Sequence, residues 1–154
     1  FIASLKSDPP RRLIGHCRYS TSGDYRDPRN NQPIAFDGVS VAFNGVIDMG
    51  TKEEMEARHG IKMRTYNDGE LFLRAVAGGV DVEAFVDNLE GSFAGVFLAG
   101  GGVFAIRNAR RPAHFSIVDG GVFVASTADI FRQSGFAESL ELVPDRLFDL
   151  SEGL

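Results

Sequence analysis

The chain contains no tryptophan and one cysteine, Cys17. A single thiol excludes an internal disulfide, and with no visible signal peptide the expected location is a reducing cytoplasm. No apolar run approaches the roughly 20 residues of a membrane span, so no membrane partner is expected. Basic residues are in the minority, 16 Lys and Arg against 21 Asp and Glu, for a net charge of −5. That balance argues against non-specific binding to nucleic acid or anionic lipid. The three histidines, His16, His59 and His114, are far apart and none has metal-ligand spacing. There is no cysteine cluster either, so neither a metal nor another cofactor is expected. Gly100-Gly101-Gly102 is followed by no Lys-Ser or Lys-Thr and reads as a hairpin tip, not a phosphate loop.

What is present is a chain fit to fold. Its 154 residues suit one domain, spanning 1–154, that buries roughly 70% of the unfolded chain's surface. Hydrophobic residues make up 44%, which predicts a packed globule, and 13 Phe with no Trp predict a core dominated by phenylalanine rings. No repeat, low-complexity tract or linker marks a second domain.

Residues 1–12 read as an irregular lead-in, because Ser7-Asp8-Pro9-Pro10 blocks regular structure. Leu13 to Tyr19 reads as a strand. Residues 22–33 form a polar loop, long enough to suggest function. Val39 to Phe43 reads as a strand ending at Asn44-Gly45. A helix is expected over Lys52–His59, with Thr51 and Glu54 as a capping box and Gly60 as the stop. A second starts at Asp68 or just after and runs to Ala77. A third spans Val82 to Leu89, with Asp81 as N-cap and Gly91 as stop. Beyond Ser92 the pattern changes. Phe93–Leu98 and Val103–Asn108 make one hairpin, and Phe115–Val118 and Val122–Ala125 another. A short helix over Ala128–Ser134 and closing strands at Leu140–Val143 and Arg146–Leu150 complete an α+β chain with mostly antiparallel sheet.

Three segments could carry chemistry. Arg18 could grip a carboxylate through two parallel N–H···O bonds, or sit in a surface ion pair. Asn44-Gly45 could supply two oxyanion donors, an amide and a glycine N–H, or form a turn. Asp68 could bind an ammonium group, cap the second helix, or do both with its two oxygens. Asn67 with Glu70 could equally form a capping box. Cys17 points away from His16 and Arg18 on a strand, so it lacks the base or positive charge that a nucleophilic thiol needs and reads as a small apolar filler. Arg107, Arg110 and Arg111 read as a solvated basic turn.

The order of these segments is more specific than any one of them. Gly15-His16-Cys17-Arg18-Tyr19-Ser20-Thr21-Ser22-Gly23, Asn31-Gln32-Pro33, Phe43-Asn44-Gly45 and Asp68-Gly69-Glu70 together resemble the class II glutamine amidotransferases, with the glutaminase domain of the phosphoribosylpyrophosphate enzymes the nearest likeness. Glu90-Gly91-Ser92-Phe93-Ala94, Ile106-Arg107-Asn108-Ala109-Arg110-Arg111-Pro112 and Val124-Ala125-Ser126-Thr127 extend the likeness over residues 13 to about 150. The resemblance implies an N-terminal nucleophile hydrolase fold, an αββα sandwich. It implies that Arg18 binds the α-carboxylate of glutamine, with Thr21 and Ser22 beside it. It implies that Asp68 binds the α-ammonium, and that Asn44 and Gly45 form the oxyanion hole.

The family's nucleophile is a chain-terminal Cys whose own α-amino group is the base. Here the first residue is Phe1, and the family's opening strands have no counterpart. The sequence therefore reads as the larger, C-terminal part of a glutaminase domain, inactive alone, with the Cys and first strands supplied by an N-terminal segment or partner polypeptide. An ammonia-accepting synthetase domain or subunit is the other expected partner. The alternative is an inactive glutamine-binding or scaffolding subunit of the same fold. Asn108 stands where the family usually has Asp, and Gly69 where it has Ser or Thr.

Overall fold

A computed structural model describes residues 7, 8, 10–17 and 23–151. Its elements run β1 (Ile34–Phe36), β2 (Val39–Ile47), α1 (Lys52–His59), α2 (Gly69–Ala77), α3 (Val82–Asp87), β3 (Gly91–Ala99), β4 (Gly102–Arg107), β5 (His114–Val118), β6 (Gly121–Ala125), α4 (Ala128–Gln133), β7 (Leu140–Glu141) and β8 (Phe148–Asp149). They form two antiparallel sheets, one ordered β1-β2-β3-β4-β8 and the other β6-β5-β7.

The first sheet is built on β2, whose residues alternate between its two faces. Val39, Val41, Phe43 and Ile47 are buried beneath the helices, while Ser40, Ala42, Asn44 and Val46 face the other way. Helix α2 supplies the facing layer with Leu71, Phe72 and Leu73, none exposed at all. Phe43, Phe93, Phe72, Phe97 and Phe104 make a continuous run of ring contacts, with centroids 5.3–6.3 Å apart. Small side chains, Ala94, Ala105 and Ala113 with Leu142 and Leu150, pack between the two sheets. On the far side α4 reaches β6 through Phe131, Phe136 and Phe123. Among the described residues no helix is long and apolar enough to cross a membrane.

Helix α1 matches its expected bounds. Thr51 and Glu54 form both bonds of the capping box, and Gly60 ends the helix at φ +64. The other differences have local causes. Residues 13–17 form no strand, because no described strand pairs with them; Arg18 and Tyr19, the end of the expected strand, lie outside the described residues. Strand β1 adds to the expected elements: Asp37-Gly38 after Ile34-Ala35-Phe36 is a two-residue hairpin turn with both residues at positive φ. Helix α3 stops at Asp87, and Asn88 rather than Gly91 ends it. Gly91 instead opens β3 at φ +129. The polar loop contains one 3-10 turn, Pro28–Asn30, capped by Asp27.

Candidate functional site

Asn44-Gly45 is not a turn. Strand β2 runs straight through it to Ile47, paired with β3 from Ser40↔Leu98 to Ile47↔Gly91 without a bulge. Gly45 has φ +153, and a Cβ there would lie 2.1 Å from the Ser92 carbonyl oxygen. The glycine is required by close strand approach.

The ladder fixes where each backbone group points. Even-numbered residues of β2 turn their N–H and C=O toward β3, a parity that continues in the bond from Asp48 N–H to the Glu90 carbonyl at 2.9 Å. Odd-numbered residues therefore turn theirs toward β1. Strand β1 pairs only as far as Ile34↔Val41, so beyond Val41 no described strand covers this edge of β2. Three N–H groups lie along it. That of Phe43 donates to Gln32 Oε1 at 2.5 Å, and that of Ile47 donates to Asp68 Oδ2 at 2.7 Å. The Gly45 N–H lies between them and bonds to no described residue. The Asn44 amide, on the sheet face opposite Phe43, likewise has no described hydrogen-bond partner.

Both groups line a cavity of about 910 Å³ between the two sheets, together with Gln32, Asp68, Cys17 and Arg111. Asp68 is 4% exposed. Its side chain makes no cap bond to α2, which corrects the cap reading. Asn67 takes that role: its Oδ1 accepts from Gly69 N–H at 3.0 Å and its Nδ2 donates to the Asn30 carbonyl at 2.7 Å. Asn30, 2% exposed, also accepts from Tyr66 N–H, so the polar loop is tied to the start of α2 through a buried network. Nor do Asn67 and Glu70 form a capping box. The buried Glu70 carboxylate accepts from the N–H groups of Arg64 and Thr65, at 2.7 and 2.6 Å, and from Arg74 Nε at 3.0 Å. These bonds hold the 64–67 loop, and the Asp68 carboxylate, which accepts from Ile47 N–H, lines the cavity.

Arg18, Thr21 and Ser22 lie outside the described residues. Cys17 is exposed on the cavity wall, not packed as an apolar filler, because its segment joins neither described sheet. The basic turn is not uniformly solvated. Arg107 is buried, donating from Nε to the Leu142 carbonyl at 2.6 Å and pairing with Glu141 at 3.0 Å. Arg111 donates from Nε to Ser92 Oγ at 3.0 Å and reaches the cavity. Asn108 is structural: its amide bridges Phe93 N–H and the Gly91 carbonyl, joining the chain after β4 to β3. Gln32 is the site residue to which the sequence alone assigns no role. Its signal is its place in the segment Asn31-Gln32-Pro33.

A sequence-family profile described as a glutamine amidotransferase domain matches residues 16–133, and the chain belongs to that family. Among solved structures it is similar to glutamine phosphoribosylpyrophosphate amidotransferase from B. subtilis complexed with ADP and GMP. The TM-score is 0.70 and the identity 21%, over 89% of this chain and 32% of that one. It is also similar to a structure described as the allosteric regulatory enzyme of purine biosynthesis, with TM-score 0.66 and 18% identity over 80% of this chain and 30% of that one. The chain thus spans about a third of the length of these structures. No curated protein matches. The fold is the N-terminal nucleophile hydrolase sandwich: helices α1–α3, two antiparallel sheets, and α4.

Proposed function

We propose that this chain forms the glutamine-binding and oxyanion-stabilising part of a glutaminase site. In this reading glutamine lies along the edge of β2 that carries the Gly45 N–H. Asp68 takes its α-ammonium, and Arg18, with Thr21 and Ser22, takes its α-carboxylate. The side-chain carbonyl oxygen meets the Gly45 N–H and the Asn44 amide. A thiolate from outside these 154 residues attacks the amide carbon. The C–N bond breaks and ammonia leaves with a proton from the nucleophile's own amine. Water then resolves the glutamyl thioester to glutamate, and ammonia passes to an acceptor on a synthetase domain or subunit. Cys17 takes no part. It hydrogen-bonds to no described side chain, so no described base stands ready to accept its proton.

The observation that carries this reading is the Gly45 N–H. It lies on a strand edge that no described strand covers, between two neighbours whose own N–H groups are bonded, and beside it is an Asn44 amide with no hydrogen-bond partner among the described residues. Donors fixed before charge develops are what oxyanion stabilisation requires. The test is ammonia release from glutamine by the chain with a Cys-led N-terminal segment supplied. Asn44→Ala should lower kcat by about 10²–10³ with little change in KM. Activity from the chain alone that disappears in Cys17→Ala would assign the nucleophile to Cys17 instead. Glutamine binding without ammonia release under both conditions would favour a binding subunit.

A further inference from the structure

The edge of β2 that carries the Gly45 N–H needs support of its own. Strand β1 leaves the ladder at Ile34↔Val41, and the next N–H on that side, Phe43, would have no acceptor. The chain two residues before Ile34 supplies one. Gln32 Oε1 accepts from Phe43 N–H at 2.5 Å, so a side-chain amide continues the ladder where backbone pairing has stopped. Phe43 immediately precedes Asn44, and its ring is held in the core at 1% exposure against Phe93. Two strand periods further on, Ile47 N–H is held by Asp68. The segment between these two anchors is the donor pair. Gln32 also lines the cavity, and its Nε2 bonds to no described residue.

We propose that Gln32 is a positioning residue of the oxyanion strand. Its carboxamide oxygen fixes the Phe43 peptide, and through it the direction of the Asn44 side chain and the Gly45 N–H. This rests on the reading of Asn44 and Gly45 as oxyanion donors. Gln32 does not touch the reacting atoms. Its contribution is geometric, and small displacements of aligned groups cost about 10²-fold per ångström.

The test uses Gln32→Leu, which removes the acceptor, and Gln32→Glu, which keeps a carboxyl oxygen in its place. Two readouts are taken on the chain with the Cys-led segment supplied: kcat and KM for glutamine, and amide hydrogen exchange. Gln32→Leu should lower kcat by about 10–100-fold with KM within about 2-fold. It should also speed exchange at Phe43 by about 10-fold or more while leaving the Phe72 amide unchanged. Gln32→Glu should recover most of kcat and of the protection. Unchanged exchange at Phe43 overturns the proposal. Faster exchange at Phe72 as well overturns it too, because Gln32 would then support the whole fold. Protection recovered without kcat in Gln32→Glu would mean that Nε2 contacts substrate directly, which also overturns it. If the wild type releases no ammonia, the glutaminase reading has failed, and the exchange pattern alone decides whether Gln32 holds this strand.

Discussion

Gly45 is where the fold and the proposed chemistry make the same demand. Replacing it with alanine puts a Cβ 2.1 Å from the Ser92 carbonyl oxygen, 2.7 Å from Phe93 Cα and 3.0 Å from Phe93 Cβ. All three belong to β3, and Phe93 is fully buried, so the neighbour cannot swing aside. Strands β2 and β3 would have to separate by about an ångström, at the ~1–3 kcal/mol typical of overpacking. The backbone at φ +153 adds about 1–3 kcal/mol for any side chain. The expected loss is therefore about 2–6 kcal/mol. Gly95→Ala is the control. It lies on the same pair of strands, but its Cβ would meet the Phe43 and Phe72 rings at an ordinary 3.8 Å. That variant should stay within about 1 kcal/mol of the wild type, since a strand loses less entropy with alanine than with glycine. Urea denaturation at constant m separates the two as a shift in midpoint. Equal midpoints for Gly45→Ala and Gly95→Ala would refute the close-approach argument and the strand register behind it.

Arg18→Lys should weaken glutamine binding although the charge is kept, because an ammonium cannot make the guanidinium's two parallel bonds. Asp68→Asn should weaken it as well while an Asn oxygen still accepts from Ile47 N–H. Titration calorimetry with an unreactive glutamine analogue, showing wild-type affinity in both variants, would remove the proposed pocket. Asn67→Ala leaves Gly69 N–H and the Asn30 carbonyl without their buried partner and should cost about 1–3 kcal/mol in a urea titration. A change below half a kilocalorie (~0.5 kcal/mol) would mean that α2 does not depend on this cap. Glu54 and Glu56 are both held below their ordinary value of 4.5. For Glu54 the cause is the Thr51 N–H and then its hydroxyl; for Glu56 it is the Met63 N–H and then Lys62. A depressed carboxyl contributes its full stability above the unfolded value and loses it as pH falls through the folded one. The urea midpoint should therefore be flat above about pH 5 and fall below about pH 4.5, and Glu56→Gln should make that fall shallower. A midpoint that rises on acidification would contradict the direction.

The local instructions were legible in the chain. Thr51, Glu54 and Gly60 bounded α1 because capping depends only on residues a few positions apart. Gly100-Gly101 and Asp119-Gly120 make the turns of both hairpins after Ser92, because a two-residue turn sets its own register. The ordered segments named Asn44, Gly45 and Asp68 as neighbours before any contact was visible. Tertiary structure decided what those residues could do. Asn44-Gly45 looked like a turn and is mid-strand, because pairing with β3 carries the extended backbone on to Ile47. Asp68 looked like a cap and is not one, because Asn67 takes the Gly69 N–H while Ile47, 21 residues away in sequence, donates to Asp68. Cys17 looked buried and is exposed, because alternation buries a face only when a second strand covers it. Gln32 gave no local sign of its part, since its partner is a backbone N–H whose orphan state exists only where β1 stops short of Phe43. Sequence encodes each residue's own geometry and polarity; which backbone groups are left unpaired, and so available to a ligand, is settled only when distant strands come together.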